Sequence, residues 1–237
     1  MIRRRSPLHR TLLSLLLLAS APLARAGVEE DSQIWLAFTT IGRWPAATTA
    51  EPSRLRYWLE AQARFDDDAS RLQQDILRPG LGYDLSSRVT VWAGYGWFDT
   101  DPQGGRDFGE HRVWQQLTWS GAAPLAGFAP SARTRLEQRL VEDTDDTGLR
   151  LRQLFRGQRP LAGPWSLVLQ DEVFVNLNDT DAGAETGFDQ NRLFAGVAWQ
   201  FAPLARLEVG YLNQFIGRPD RDDRMHHVLS LGIVLTP

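Results

Sequence analysis

The 237-residue sequence contains no cysteine, which excludes disulfide bridges, a thiolate nucleophile and cysteine-ligated metals. It also contains no lysine, so all 26 basic residues are arginine. No run of 18 apolar residues is present, which leaves no candidate for a transmembrane helix. By contrast, 43% of the residues are hydrophobic and nine are tryptophan, a composition unlike that of a disordered chain. The length predicts one domain, or at most two.

Residues 1–26 have the pattern of a secretory signal peptide. Four arginines precede an apolar segment, Leu12 to Ala19, and Ala24-Arg25-Ala26 forms a small-x-small cleavage site. We predict cleavage rather than a retained anchor, because the apolar segment is too short to span a bilayer. Residues 27–237 would then carry 21 arginines against 29 carboxylates, a net charge of −8. This acidic balance argues against nucleic acid as a partner.

The mature chain alternates apolar and polar residues in segments of about ten, the length of a tilted membrane-spanning strand. In the clearest segment, Leu55 and Leu59 alternate with Arg56 and Glu60. No stretch repeats its apolar residues with a helical period. Eleven candidate strands lie near 31–41, 54–65, 73–83, 88–99, 109–119, 132–142, 148–157, 165–177, 189–201, 206–216 and 224–236.

The connections between these strands alternate between two kinds from residue 66 onward. Compact connections, three of them containing Pro-Leu-Ala, alternate with acidic, glycine-rich ones. This order predicts an all-β fold, a single antiparallel up-and-down transmembrane β-barrel of ten to twelve strands spanning residues 27–237. Bacterial barrels have even strand counts, so either residues 32–41 lie outside the wall or one strand is missing from the count. We favour twelve strands.

Alternation alone does not decide which face of the barrel is wet. A soluble, lipocalin-like periplasmic barrel would enclose an apolar ligand among Leu55, Leu59 and Val91. An outer-membrane barrel would turn those residues to lipid instead. The second arrangement is favoured by glycines on the polar face and by aromatic residues near strand ends on the apolar face. The glycines are Gly94, Gly96, Gly196, Gly210 and Gly232, and the aromatic residues are Tyr57, Phe65, Tyr95, Trp97, Trp119, Trp199 and Tyr211.

The polar face carries arginine and glutamate, which we predict to line the lumen. The candidates are Arg56, Glu60, Arg64, Arg78, Glu110, Arg112, Arg135, Glu137, Arg139, Arg150, Arg152, Arg156, Glu172, Arg192 and Glu208. Two hypotheses follow. Ion pairs between these side chains could fill the barrel as a structural plug. Alternatively, the excess of arginine could line a narrow pore that favours anions.

A catalytic constellation is not evident. The mature chain has three histidines, His111, His226 and His227, and Ser230 lies about 13 Å from His226 along an ideal strand. A lipid-modifying enzyme is therefore the least favoured alternative, and we predict no catalytic residue, cofactor or metal site. The acidic clusters Asp143 to Asp146 and Asn178 to Asp181 match no complete calcium loop. The expected partners of a monomeric barrel are outer-membrane lipid, lipopolysaccharide and small anionic solutes.

Several motifs occur in an order that resembles a known protein family. They are Arg135-Leu-Glu137-Gln-Arg139, Arg150-Leu-Arg152, Glu172-Val-Phe174-Val-Asn176, Phe188-Asp189-Gln190-Asn191-Arg192 and Glu208-Val-Gly210-Tyr211-Leu-Asn213-Gln214. In this order they resemble the domain of unknown function 2490 family, exported proteins of Gram-negative bacteria that look like outer-membrane barrels. The resemblance implies a fold and a location in the outer membrane. It implies no reaction, so no catalytic role is carried over.

Overall fold

The computed structural model describes residues 27–45, 53–219 and 221–237. The predicted signal peptide at 1–26 lies outside these residues. Eleven strands follow one another, and none of the described residues is helical. No helix long and apolar enough to cross a membrane occurs in this part of the chain. The strands are β1 (Val28–Arg43), β2 (Leu55–Asp66), β3 (Arg71–Asp84), β4 (Val89–Thr100), β5 (Phe108–Ser120), β6 (Ala129–Val141), β7 (Thr147–Pro160), β8 (Trp165–Asn176), β9 (Gly187–Ala202), β10 (Ala205–Ile216) and β11 (Asp223–Leu235).

The eleven strands form a closed barrel, and each of them matches one predicted segment. Neighbours in sequence pair antiparallel, but β1 and β11 close the wall in parallel, with Val28 opposite Asp223 and Thr40 opposite Leu235. The even strand count was therefore the wrong expectation. The first segment is part of the wall and no strand is missing, because a parallel seam lets an odd number of strands close.

The connections separate into two ends of the barrel, as the alternation predicted. We call one end the loop rim, which holds 67–70, 101–107, 142–146, 177–186, 217–219 and 221–222. The other end is the turn rim, which holds 85–88, 121–128, 161–164 and 203–204 and where β1 ends and β2 begins. The described chain begins at the loop rim and ends at the turn rim, since Val28 pairs with Asp223 and Leu235 pairs with Ala205.

The two faces of the wall differ in chemistry because strand side chains alternate between them. Outward-facing Leu59 is 42% exposed and Trp97 is 40% exposed, whereas inward-facing Glu60 is 5% exposed. Leu55 and Leu59, which would line an apolar interior, lie on the outside. The apolar-lumen alternative is therefore wrong for this barrel. Arginine, carboxylate and aromatic side chains fill its interior.

Candidate functional site

The interior is organised around Glu137 on β6, which has no exposed surface. Its carboxylate accepts hydrogen bonds from Arg152 Nη1 at 2.7 Å and Arg150 Nη2 at 2.8 Å. Arg112 and Arg135 each approach it to 3.7 Å. A carboxylate removed from water requires such partners, because desolvation of an unpaired charge costs several kcal/mol. Four guanidiniums thus share this one central anion.

Further carboxylates extend the network around the wall. Glu110 takes both Nε and Nη2 of Arg112 at 2.7 Å and also binds Arg139 Nε at 2.6 Å. Glu172 binds Arg133 at 2.7 Å and Arg152 at 2.9 Å. Although some arginines are shared between carboxylates, Glu110, Glu137 and Glu172 together contact six different arginines, so positive charge is in excess around them.

Nearer the turn rim, Glu208 accepts from Arg156 and Arg206, each at 2.7 Å. Glu60 binds Arg78 at 2.7 Å in a separate buried pair. These bonds cross from strand to strand, or join alternate residues of one strand. They therefore connect the wall from within, in addition to its backbone hydrogen bonds.

Aromatic rings support the guanidiniums from their faces. Arg112 lies 3.5 Å from the ring centre of Phe98, and Arg135 lies 4.5 Å from that of Trp114. Trp114 is fully buried and fits only because its neighbours lack side chains. A Cβ atom would come within 2.4 Å of this indole at Gly80 and within 2.2 Å at Gly94. The inward glycines of β3 and β4 thus create the space that the tryptophan fills.

All of the arginines and glutamates predicted to line the lumen lie on the inner face. Sequence reasoning missed Arg133 and Arg206, which have the same strand parity as Arg135 and Glu208 and join the network. Parity was the signal that could have found them. It also missed Asp84, 2.7 Å from Arg43 and 3.6 Å from Arg56, and Asp189, 3.1 Å from Arg150. Those two aspartates lie near strand ends, where alternation gives little guidance.

The interior is not completely filled. A cavity of about 340 Å³ faces the turn rim, bordered by Arg156, Glu208 and Gly232. A second cavity, of about 270 Å³, lies toward the loop rim beside Gln190 and His226. A third, of about 520 Å³, lies under the loops, and its walls share Arg139 and Asp189 with the second.

The first two cavities meet at a shared set of side chains, which we call the waist: Trp35, Arg64, Arg78, Arg152 and Arg192. Trp35 donates from its indole nitrogen to Gln33 at 2.8 Å, and Gln33 donates to Asp31 at 2.7 Å. These hydrogen bonds hold the indole ring in a position where two guanidiniums contact it. Arg64 lies 4.0 Å and Arg192 4.8 Å from the ring centre.

The three histidines of residues 27–237 lie on both faces of the wall. His226 faces inward and contacts Gln214 at 3.3 Å, whereas His111 and His227 lie on the outer face beside Tyr95 and Tyr211. No group of three or more metal-ligating side chains occurs among the described residues.

Hydrogen bonds join the two acidic clusters at the loop rim, 143–146 and 178–181. Asp181 accepts from the backbone nitrogens of Asp145 and Asp146 at 2.8 and 3.3 Å, and its own nitrogen donates to Asp146 at 2.9 Å. Within the second cluster, the backbone and hydroxyl of Thr186 donate to Asp179 and hold the pKa of that carboxyl below its usual range. The carboxylates therefore serve as backbone acceptors that fix the loops over the 520 Å³ cavity.

Comparison with known proteins agrees with the motifs of the charged interior. The family model described as "Protein of unknown function (DUF2490)" matches residues 32–226. The chain belongs to the DUF2490 family. An uncharacterised protein of Methylorubrum extorquens strain AM1 is 33% identical over 225 residues, which cover 94% of this chain and 95% of the relative. The DUF2490 match spans β2 to β10 in full and also includes most of β1, where Trp35 lies, so it contains all of the waist.

Proposed function

We propose that this protein is a barrel of the Gram-negative outer membrane, exported with loss of residues 1–26, and that its interior forms a narrow, interrupted passage favouring small anions. The observation that carries the proposal is the inverted wall. Outward-facing leucine, valine and aromatic residues surround the barrel, whereas charged groups fill its interior. A wall of this kind matches a hydrocarbon environment outside and a polar one inside.

The passage hypothesis is supported by the stacked cavities and by their charge. The three cavities follow one another from the loop rim toward the turn rim and adjoin through shared side chains. Arginine outnumbers carboxylate in the lining of the two inner cavities, which favours anions over cations there. Because the waist interrupts the series, conduction would be small and would require movement of side chains there.

Membrane insertion is tested by refolding residues 27–237 into detergent and mixing the protein with liposomes. We expect the barrel to float with the vesicles in a density gradient and to remain there after a high-salt wash. A protein that stays soluble without detergent and does not float would refute the outer-membrane assignment. A soluble periplasmic barrel with a charged interior would then be the better hypothesis.

Conduction is tested separately in a planar bilayer. We expect discrete small steps whose reversal potential in a salt gradient indicates anion preference. Arg139→Ala should change this preference, because Arg139 lies between two of the cavities. Arg159→Ala, at the exposed end of β7, is the matched control and should leave conductance unchanged. Insertion without conductance would favour a purely structural barrel.

Lipid modification is a less favoured activity, because Ser230 and His226 share no hydrogen bond in the structure. We expect wild type, His226→Ala and His111→Ala to leave the lipids of reconstituted vesicles equally unchanged. A lipid conversion that the wild type performs and either variant has lost would make the barrel an enzyme.

A further inference from the structure

Arg64 and Arg192 differ from the other interior arginines in their lack of a carboxylate partner. Within the described residues, the other arginines of the interior network have a carboxylate oxygen within 4.0 Å, as with Arg78 and Glu60 at 2.7 Å. Arg64 and Arg192 take part in no such pair. Both lie at the waist, between two cavities, and both stack on Trp35. Two cations that contact one aromatic ring beside two cavities, with no carboxylate partner, favour a bound anion.

The hydrogen bonds of the two guanidiniums leave donors available. Arg192 donates once, from Nη2 to Gln190 at 3.3 Å, and its buried Nε has no acceptor among the described residues. Arg64 donates only to the neutral amides of Gln62 and Gln74, at 2.8 to 3.2 Å. A guanidinium has five N–H donors, so most of those on Arg192 remain free.

The neighbouring carboxylates do not neutralise this pair. Glu172 lies opposite Arg192 in the ladder, but its carboxylate is bound by Arg133 and Arg152 instead. Asp189 is paired with Arg150 at 3.1 Å. Arg135 also has unsatisfied nitrogens, yet it has no exposed surface, packs on Trp114 and borders neither waist cavity. The waist therefore combines free N–H donors, uncompensated positive charge and an adjacent cavity. Arg135 has free donors but no adjacent waist cavity.

We propose that the waist is a binding site for a small oxyanion, held between Arg64 and Arg192 beside the face of Trp35. Carboxylate and phosphate groups share the required chemistry, since their oxygens accept paired N–H donors from a guanidinium. The cavities on either side, about 340 and 270 Å³, admit small solutes. The site deepens the proposed anion passage, and its role in transport rests on that proposal. Binding itself depends only on the interior.

The experiment is calorimetric titration of the detergent-refolded protein, residues 27–237, at constant ionic strength. Inorganic phosphate and acetate are the two oxyanion probes, and chloride is the halide control. We expect saturable binding of at least one oxyanion, one site per barrel, with chloride at least tenfold weaker. Acetate binding without phosphate binding would indicate a carboxylate site, and the reverse a phosphate site. No saturable oxyanion binding would overturn the proposal.

Variants locate the site within the barrel. Arg192→Gln and Arg64→Gln should each weaken binding at least tenfold. The matched control is Arg206→Gln, because Arg206 is also an interior arginine. When the Arg206 guanidinium is removed, Glu208 still has Arg156 as a partner. Equal binding by wild type and Arg192→Gln would place the anion elsewhere and refute the assignment. So would an equal loss in Arg206→Gln.

Thermal unfolding provides a readout that does not depend on the variants' affinity alone. A ligand bound to the folded state raises the unfolding temperature. Phosphate or acetate should therefore raise the Tm of wild type and of Arg206→Gln, but not that of Arg192→Gln. Without added oxyanion, Arg192→Gln should melt no lower than wild type, because the substitution removes an uncompensated charge. Should Arg192→Gln fail to fold, Arg64→Gln serves the same comparison.

Neither calorimetry nor thermal unfolding uses conductance. A barrel that binds anions but does not conduct would therefore refute the proposed anion passage and leave the proposed binding site intact.

Discussion

Tyr211 and His227 lie side by side on the outer face of the barrel, with 2.6 Å between the phenol oxygen and Nδ1 and their rings stacked 6.0 Å apart. Tyr95 and His111 form the same hydrogen-bonded, stacked pair on β4 and β5. A carboxylate is close to each histidine, Glu30 at 3.8 Å from His227 and Glu142 at 3.9 Å from His111. Both tyrosines are five residues from the loop-rim ends of their strands, Thr100 and Ile216.

We expect these pairs to mark the boundary between lipid chains and headgroups, because Tyr and His combine an apolar ring with a polar tip. Fluorophores on single cysteines at His111 and His227 should be quenched most by a quencher located in the headgroups. Labels at Leu117 and Leu231, farther from the loop rim on the same strands, should be quenched most by one deep in the acyl chains. The same depth for all four labels would contradict this boundary.

The central carboxylate should dominate the stability of the interior. Glu137→Gln would leave Arg150 and Arg152 without their shared anion, and we expect a loss of about 3–5 kcal/mol in the free energy of unfolding. Urea unfolding in detergent measures it. Glu142→Gln, at an exposed site, is the control and should cost less than about 1 kcal/mol. Equal stability of the two variants would mean that the buried network contributes little.

The space for Trp114 can be tested at one glycine. In Gly94→Ala the new methyl group would come within 2.2 Å of the indole and 2.4 Å of the Pro79 carbonyl oxygen. We expect a loss of about 1–3 kcal/mol from overpacking. Gly148→Ala has its nearest contact at 3.5 Å and should be close to neutral. Comparable losses in both variants would show that strand flexibility, rather than the indole, sets the cost.

The parallel seam gives a prediction about cross-linking. Phe38 and Ile233 are direct partners across β1 and β11. Because the chain has no native cysteine, Phe38→Cys with Ile233→Cys should form one disulfide under mild oxidation, detected by a shift on a non-reducing gel. Phe38→Cys with Leu229→Cys is offset by about 13 Å along the strand and should not. Preferential cross-linking of the offset pair would exclude this register.

Alternation was sufficient to predict the strands and to sort their side chains into two faces. The placement of Leu59 and Glu60 on opposite faces follows from a period of two, and this rule needs no knowledge of which strands are neighbours. The choice of the outward face also required the glycines of the polar face and the aromatic residues of the apolar face. The alternating connections likewise predicted the two rims. Both properties are local, so a single sequence contains them.

The seam and the pairings could not be predicted in the same way. Parallel closure of β1 on β11 depends on contacts between the two ends of the chain, as does the choice of eleven strands. The pair of Arg133 with Glu172 spans two strands, and its geometry depends on register and on the ladder shift between Phe174 and Val175. The waist could not be predicted either, because Arg64 and Arg192 differ from the other interior arginines only in their surroundings in the folded barrel: the Trp35 ring and the lack of a carboxylate partner.

The parallel seam also determines how the barrel must be assembled. Arg224 and Glu29, 2.9 Å apart across the seam, are separated by 195 residues, so we expect closure to be a late step of folding with a high entropic cost. The ten strands β2 to β11 can insert as antiparallel hairpins joined at the loop rim, but β1 has a free end there. In the proposed outer membrane, with residues 1–26 removed and the turn rim inside, the amino terminus led by Glu29, Glu30 and Asp31 would itself be translocated to the cell surface. A peptide fused ahead of Val28 would then be displayed outside the cell, while one fused after Pro237 would remain in the periplasm.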